Sequence, residues 1–248
     1  MRLYDDLADW WPLMSPPEDY AAEAGPVADL LSVKATTGRP RLLELGSGGG
    51  HLASHLKARF DMTLVDLSPR MLEQSRSLNP ECRHLTGDMR SLRLAERFDA
   101  VLVFDAISHM QTEADLLAAM RTARAHLKPG GVALFCPDWT VEGFAPATSM
   151  GGIDGPERGM RYLEWTQPTI RGTTYESYLV YLLREADGSL RIVQDRMALG
   201  IFPRETWTRF LTEANFGHVV ISEQSGRVVF QAISAPHRTN ATAQVRDG

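Results

Sequence analysis

The chain has 248 residues, enough for one sizeable α/β domain with an insertion or for two small domains, and its 44% hydrophobic and 23% charged residues are typical of a globular protein. Its formal net charge is −5 and no lysine or arginine run occurs, which argues against a nucleic-acid or anionic-membrane surface. Neither a signal peptide nor a membrane span is predicted, because no basic start precedes an apolar stretch and no long apolar window occurs. The two cysteines, Cys82 and Cys136, fall in predicted interior strands and indicate buried thiols in a reducing, cytoplasmic setting.

The chain begins with an aromatic and acidic segment containing Tyr4, Trp10 and Trp11. Pro16 and Pro17 end any helix in this segment. Apolar side chains then cluster on one side of residues 19–31, which predicts a helix. We expect this N-terminal region to form a helical cap.

Strand and helix patterns alternate between residues 41 and 137. Strands are predicted at 41–45, 62–66, 82–85, 98–105 and 132–136, and helices from the glycine loop to about 59, at 69–78 and at 113–127. This alternation is typical of right-handed βαβ crossovers on a parallel sheet.

The pattern changes after residue 137. Residues 138–159 are rich in Gly, Pro and Thr and predict a loop, whereas 160–166, 173–184 and 190–199 have the period-two pattern of strands. A helix at 204–214 and two strands at 219–222 and 227–233 follow.

These elements predict an α/β fold with a Rossmann-like sheet of seven mostly parallel strands, the last antiparallel. Helices lie on both faces, and an antiparallel β insertion follows strand 5. The expected divisions are a core of residues 1–137 and 204–233, an acceptor-side lid of residues 138–203, and a flexible tail of residues 234–248.

The first strand leads into a glycine loop, since residues 41–51 read R-L-L-E-L-G-S-G-G-G-H. Glycines allow positive φ and close approach of a ligand, and the following helix start offers unpaired N–H groups. Four glycines within five residues favour a ligand loop over an ordinary βα turn.

Acids follow the next three strands: Asp66, Asp88 and Asp105. In an open α/β sheet the ligand lies beyond the carboxyl ends of the strands, where an acid after strand 2 accepts both hydroxyls of a ribose. Asp88 is placed to accept a hydrogen bond from an adenine amino group, and the alternative is an aspartate that only stabilises the turn. For Asp105 the alternative to a ligand contact is an acid that only caps a loop. The G-x-G-x-G spacing disfavours a dinucleotide, whose fingerprint is G-x-G-x-x-G.

Five segments in order resemble the motif series of class I S-adenosylmethionine (SAM)-dependent methyltransferases: E-L-G-S-G-G-G, V-D-L-S-P-R-M-L, G-D-M-R, F-D-A-V-L-V-F-D and L-K-P-G-G. The resemblance implies SAM as methyl donor and S-adenosylhomocysteine as its product. It also implies cofactor contacts: Gly46, Ser47 and Gly48 at the methionine part, Glu44 near its amino end, Asp66 on the ribose with Leu67 beside adenine, Asp88 and Met89 at the adenine edge, and Phe104 and Asp105 beneath the amino group and sulfonium.

The segment D-Y-A-A-E-A at residues 19–24, together with the N-terminal aromatics, G-D-M-R and the β insertion, is similar to bacterial N,N-dimethyltransferases of nucleotide-linked amino sugars. The resemblance implies that the N-terminal helix closes over the cofactor, with Tyr20 in contact. The insertion has no motif that matches nucleotide-sugar recognition.

The predicted reaction is therefore methyl transfer to a small molecule, in first place to an amine. His109, just past strand 4, is the candidate general base, although a flanking histidine without a catalytic role fits equally. Trp139, Trp165, Tyr175 and Tyr178 are candidates for an acceptor pocket, and no metal site is predicted.

Alternatives that remain open are an O-methyltransferase acting on a hydroxyl or carboxyl group, a nicotinamide-dependent oxidoreductase and a catalytically silent SAM-binding module. The expected partner is the small-molecule acceptor, without nucleic acid or membrane. The expected assembly is a monomer or homodimer.

Overall fold

The computed structural model describes residues 2–33, 38–169 and 172–235. It contains two sheets and six α-helices within these residues. The main sheet comprises β1 (Arg41–Leu45), β2 (Asp61–Asp66), β3 (Arg83–Thr86), β4 (Phe98–Val103), β5 (Leu127–Phe135), β10 (Phe216–Gln224) and β11 (Arg227–Ser234). The second sheet comprises β6 (Ala147–Gly151), β7 (Gly159–Pro168), β8 (Thr174–Arg184) and β9 (Leu190–Gly200). The helices are α1 (Trp11–Met14), α2 (Ala21–Leu30), α3 (His51–Leu56), α4 (Pro69–Leu78), α5 (Glu113–Ala125) and α6 (Arg204–Glu213).

The strand order of the main sheet is β10-β11-β5-β4-β1-β2-β3, which confirms the predicted seven-stranded Rossmann-like fold. Pairing is parallel from β5 to β3, and β11 is antiparallel to both β5 and β10. Reversal of order at β1 and β4 leaves a crevice at their carboxyl ends, where ligands bind in such sheets.

Apolar side chains of the central strands are buried on both faces, as expected for a parallel sheet covered by helices. On one face, α5 and α6 pack against the sheet through residues such as Leu116, Met120 and Trp207. On the other, α2 and α3 pack through residues such as Val27 and Leu52. The two layers hold the carboxyl ends of the strands in fixed positions.

The structure corrects several predicted boundaries. Residues 138–159 contain a strand, β6, whose polar and exposed residues lack the alternation that marked its neighbours. Helix α5 ends at Ala125, and β5 begins at Leu127 rather than after Gly131. Cys82 is half-buried just before β3, while Cys136 is buried just after β5, and both thiols are free.

Residues 2–20 form a cap of short helical turns, and the helix predicted at residues 19–31 is present as α2. The cap packs through Leu3, Leu7 and Trp10 against the inner face of the second sheet, in a cluster that includes Tyr181 and Val193. Of the predicted tail, residues 236–248 lie outside the described residues. Among the described residues, no helix has the length and apolarity needed to cross a bilayer.

Candidate cofactor and acceptor site

The glycine loop is tied to the end of β2 by backbone hydrogen bonds. The N–H groups of Gly46 and Ser47 both donate to the carbonyl of Val65, at 2.7 and 2.9 Å. Gly46 has φ of +78°, and a Cβ there would lie 2.2 Å from Cβ of Ala106, so only glycine fits. A Cβ on Gly48 would meet only Met71, at 3.7 Å, so the loop is less crowded at that point.

Asp66 ends β2, and its carboxylate accepts two backbone N–H groups. Oδ2 accepts from Gly48 and Oδ1 from Ser68, each at 2.8 Å. A carboxylate has about four lone-pair directions, so two remain for a ligand. Burial raises the pKa of Asp66, and the two N–H donors oppose that shift. The neighbouring Leu67 is 66% exposed, which leaves an apolar surface beside the carboxylate.

Glu44 is a buried acid in β1 with only 3% of its surface exposed. Its Oε2 has no hydrogen-bond partner among the described residues, and neither has the buried hydroxyl of Ser47. Burial, together with the charges of Asp66 and Asp105, raises the pKa of Glu44 to about 8. A buried carboxylate without a partner is costly, so this position fits the positive amino group of an amino acid.

Asp88 follows β3, but its carboxylate is occupied. Both its oxygens accept from the Arg90 side chain, and Oδ1 also accepts the Arg90 backbone N–H at 2.8 Å. Arg90 bridges onward to Asp115 at 3.0 Å. The side chain of Met89 instead lies against the glycine loop. A Cβ placed on Gly46 would be only 2.9 Å from Cε of Met89. Of the two residues predicted at the adenine edge, Met89 lies at the glycine loop and Asp88 is bonded to Arg90.

Phe104 and Asp105 follow β4, as predicted, but Asp105 belongs to an ionic cluster. Arg227, from the start of β11, is hydrogen-bonded to Asp105 and lies over the Phe104 ring at 4.7 Å. It also approaches Asp138 at 3.7 Å and Glu23 at 3.8 Å. Three carboxylates therefore surround one guanidinium. Burial and the charge of Asp138 raise the pKa of Asp105, burial and the charge of Glu164 raise the pKa of Asp138, and Arg227 opposes both shifts.

His109 ends a short 3-10 turn, residues 105–109, beyond β4. Its ring meets Tyr4 edge to face, with centroids 5.6 Å apart. Burial lowers the pKa of His109 and the charge of Asp66 opposes this, so the imidazole is neutral at pH 7. Burial and the charges of Asp138 and Asp105 hold the pKa of Tyr4 well above its ordinary value.

The N-terminal cap contacts the glycine loop and its flanking elements at several points. The Trp11 indole would be 3.1 Å from a Cβ on Gly49, and the Ser68 hydroxyl donates to the Tyr4 carbonyl at 2.7 Å. His51 Nδ1 lies 2.7 Å from the Ser15 carbonyl oxygen. Tyr20 bonds Ser15 through its hydroxyl at 3.0 Å, and its ring lies 6.0 Å from that of His51. The cap therefore spans from the start of α3 to the end of β2.

The four aromatic residues predicted for an acceptor pocket separate into two pairs. Trp139 and Tyr175 are linked through Phe144, at centroid distances of 6.0 and 5.1 Å. Trp165 and Tyr178 are 52% and 39% exposed on the opposite, outward face of the second sheet. The period-two pattern identified these strands but could not say which face would turn inward.

Sequence reasoning missed Tyr4, Trp11, Asp138 and Arg227 as site residues. The concentration of aromatics in the first eleven residues was the available signal for the first two. Nothing local marks Arg227, because its partners are distant in the chain. Among the described residues, no group of three or more His, Cys, Asp or Glu is arranged to hold a metal ion.

Residues 42–131 match the family model of a methyltransferase domain, Methyltransf_25. A curated protein of Streptomyces venezuelae, dTDP-3-amino-3,4,6-trideoxy-alpha-D-glucopyranose N,N-dimethyltransferase, is 37% identical over 130 residues. That alignment covers 52% of this chain and 54% of the relative, so the chain spans about half the length of this relative.

Two solved structures share the fold over most of the chain. DesVI from Streptomyces venezuelae has a TM-score of 0.79 and 27% identity, covering 93% of this chain and 98% of its own. CalS10, a SAM-bound amino pentose methyltransferase from Micromonospora echinaspora, has a TM-score of 0.74 and 29% identity, covering 87% and 92%. The matched methyltransferase domain contains the glycine loop and the acids at the strand ends, and its fold is that of these two methyltransferases, so the chain contains a methyltransferase domain whose cofactor is SAM.

Proposed function

We propose that the chain methylates the nitrogen of a nucleotide-linked amino sugar. The observation that carries the choice of an amine is the ionic cluster at the ends of β4 and β5. There, Asp105, Asp138 and Glu23 face a single cation, Arg227. The resulting negative potential attracts an ammonium group and repels a carboxylate. The amino-sugar methyltransferases with which the chain shares its fold support a sugar as the amine's carrier.

The proposed cofactor contacts lie along the strand ends. The remaining lone pairs of Asp66 accept the ribose hydroxyls, and Leu67 covers one face of the adenine. Glu44 meets the methionine amino group, since its Oε2 is buried without a partner among the described residues. Gly46, Ser47 and Gly48 line the methionine part with backbone. Met89 and Phe104 supply apolar walls, and Tyr20, whose hydroxyl bonds Ser15, contacts the cofactor from the cap.

SAM, when bound, supplies a methyl group on a sulfonium that needs no further activation. The protein's task is therefore orientation and exclusion of water, which together lower a barrier by about 7–11 kcal/mol. The cap of residues 2–20 excludes water from the glycine loop. The acceptor lies between this cap, the insertion of residues 138–203 and the ends of β4 and β5.

An amine attacks only in its neutral form, so a protonated acceptor must lose a proton in the site. His109 receives it at a ring nitrogen, because burial keeps the imidazole unprotonated at pH 7. Tyr4, held protonated at its hydroxyl, lies against the same imidazole. Asp105 stays paired with Arg227 and positions that cation rather than taking the proton.

A hydroxyl acceptor is the second candidate, because a neutral His109 also suits removal of a hydroxyl proton. A carboxyl acceptor is disfavoured by the acidic cluster. The test is incubation with SAM and matched dTDP-sugars that carry an amino or a hydroxyl group at the same carbon, followed by mass spectrometry. Methylation of the amino sugar alone is expected. Methylation of the hydroxyl sugar alone would establish the alternative, and SAM binding without transfer to either would refute both.

A further inference from the structure

A second concave site lies at the amino ends of the parallel strands, on the opposite edge of the main sheet from the glycine loop. Its cavity of about 330 Å³ has the size of a small-molecule site. Six of the residues that line it come from the starts of β4 and β5 and the ends of α5, α6 and β11: Arg97, Arg121, Arg124, Pro129, Asn215 and Ala235. We call this cavity the arginine groove.

The arginine groove is separate from the cofactor site. Arg97 directly precedes β4, whose six residues end at Val103, next to Phe104 and Asp105 at the carboxyl edge. At about 3.3 Å per residue, the strand places the two edges of the sheet about 20 Å apart. A small molecule in the groove therefore makes no contact with the glycine loop.

Two of the three guanidinium groups are held in place by backbone carbonyls. Arg97 Nη1 donates to the carbonyl of Leu127 at 2.9 Å, and Arg124 Nε donates to the carbonyl of Asn215 at 2.9 Å. Arg124 Nη2 also donates to the carbonyl of Ala235, at 3.5 Å. Each guanidinium has five N–H donors, so these bonds orient the groups and leave donors for a ligand. Side chains already held in position lose little entropy when a ligand binds.

The positive charge of these two arginines is not compensated by an acid. Within the described part of the chain, Arg121 is paired with Glu213 at 2.8 Å, whereas Arg97 and Arg124 bond to carbonyl oxygens and form no ion pair. Burial, and then the charge of Arg97, lower the pKa of Arg124, which shows that the two cations repel each other. An anion bound between them relieves this repulsion.

The net charge of the groove is positive even when the nearby helix ends are included. Helix α5 ends at Ala125 and α6 at Glu213, and each helix C-terminus carries about half a negative charge. These two ends and the Glu213 carboxylate offset about two of the three arginine charges. About one positive charge remains, in a chain whose formal net charge is −5. The groove therefore attracts anions although the protein as a whole is acidic.

The chemistry of the donors selects a phosphate group. A guanidinium is planar and donates two parallel N–H bonds to a phosphate, which carries more charge and more acceptor oxygens than a carboxylate. Three guanidinium groups around one cavity have more donors than a single carboxylate can accept. The concave shape and the volume of about 330 Å³ suit a small molecule rather than the surface of a macromolecule.

We propose that the arginine groove binds a small molecule that carries a phosphate or diphosphate group, at a site distinct from the cofactor and acceptor sites. Arg97 and Arg124 bind the phosphate oxygens, and Arg121 contributes a third cation that Glu213 partly neutralises. The proposal does not depend on which acceptor is methylated.

The test is calorimetric titration of the full chain saturated with S-adenosylhomocysteine, so that the cofactor site is filled. Inorganic pyrophosphate, ADP and adenosine are the three probes. Pyrophosphate and ADP are expected to bind, with an affinity that falls as salt is added, and adenosine is not. Tighter binding of ADP than of pyrophosphate would identify a nucleotide as the ligand, and the reverse order would identify a free phosphate compound.

Substitutions locate the bound probe. Arg97→Gln and Arg124→Gln are each expected to weaken pyrophosphate binding about 10-fold, the lower range for hydrogen bonds to a charged group. Arg209→Gln is the matched control, because Arg209 is an exposed arginine of α6 paired with Glu113 outside the groove, and it is expected to bind as wild type does. Glu213→Gln is expected to tighten binding several-fold, because it releases Arg121.

Circular dichroism and S-adenosylhomocysteine binding verify that each variant is folded. Loss of affinity in the two groove variants, with tighter binding by Glu213→Gln, supports the proposal, since a purely structural role of these arginines predicts no gain. A wild type that binds neither pyrophosphate nor ADP overturns the proposal. So does binding that persists unchanged in both groove variants, or that Arg209→Gln weakens to the same extent.

Discussion

Asp66 Oδ2 accepts the backbone N–H of Gly48 at 2.8 Å, and this bond joins the end of β2 to the glycine loop that follows β1. The carboxylate is thereby oriented before any ligand arrives. Its second oxygen is held in the same way by the N–H of Ser68. Pre-orientation of this kind lowers the entropic cost of binding.

Replacing Asp66 by alanine is expected to weaken SAM binding about 100-fold, because hydrogen bonds to a charged acceptor contribute about 1.5–3 kcal/mol each. Asp88→Ala is the matched control, since that carboxylate is already bonded to Arg90. Its expected effect is about threefold or less. Calorimetric titration measures both, and equal losses for the two variants would show that the ribose assignment is wrong.

Glu44 predicts a pH dependence of cofactor binding. Its pKa of about 8 in the free protein means that the carboxyl is protonated at neutral pH and must ionise to meet an ammonium group. SAM affinity is therefore expected to rise between pH 6.5 and 8.5 in wild type. Glu44→Gln is expected to bind more weakly and to lose most of this rise. An unchanged slope in the variant would contradict the role of Glu44.

The same raised pKa affects the stability of the free protein. Since the folded state binds the proton more tightly than the unfolded state, the free energy of unfolding falls as pH increases from about 4.5 to 8. For a side chain only 3% exposed the loss is on the order of 4 kcal/mol. Urea unfolding of Glu44→Gln is expected to show a flatter pH dependence over that interval.

His109→Asn is expected to reduce kcat for an amine acceptor by about 10²-fold, the lower end of general base contributions. In wild type, the base form of His109 is lost as pH falls through a pKa below its ordinary value of 6.5, which produces an acidic limb in the rate profile. The variant should lack that limb. A variant that keeps the wild-type profile with a changed KM alone would assign His109 to packing against Tyr4.

Arg227→Met is expected to lower the free energy of unfolding by about 2 kcal/mol at pH 8. Removal of a partner from a buried ion pair costs about 3–5 kcal/mol, reduced here because the Asp105 side chain is 40% exposed. The loss should shrink at pH 5.5, below the pKa of about 7 at which Asp105 becomes protonated. Arg121→Met, which breaks an exposed pair with Glu213, serves as a control with little effect.

The strands of the main sheet could be predicted from the sequence because each is marked by its own residues and their immediate neighbours. Each of β1, β2 and β4 is a nearly continuous apolar run followed by a glycine or an acid, so both burial and the position of the ligand edge follow from composition. The acids after β2 and β4 lie at the sheet's ligand edge. Strand β6 was missed because it is held by pairing with β7, while its own residues are exposed and show no alternation.

Contacts between distant segments explain the remaining differences. Arg227 is hydrogen-bonded to Asp105, which lies 122 positions earlier in the chain, and no local sequence pattern predicts that pair. Asp88 is a local exception: it was assigned from its place after β3, and its carboxylate is bonded to Arg90, two residues further on. The outward side of the insertion depends on the cap, since residues 2–14 decide which face of β7–β9 is covered.

The attachment of the cap at Gly49 and Ser68 has a consequence for the distribution of products. Because Trp11 and Tyr4 lie over the glycine loop, we expect exchange of the donor for its spent form to require that these contacts break. Wherever two methyl groups go to one nitrogen, the cap opens between the two transfers. The singly methylated acceptor can then escape, and the ratio of singly to doubly methylated product depends on whether donor exchange or acceptor escape is faster.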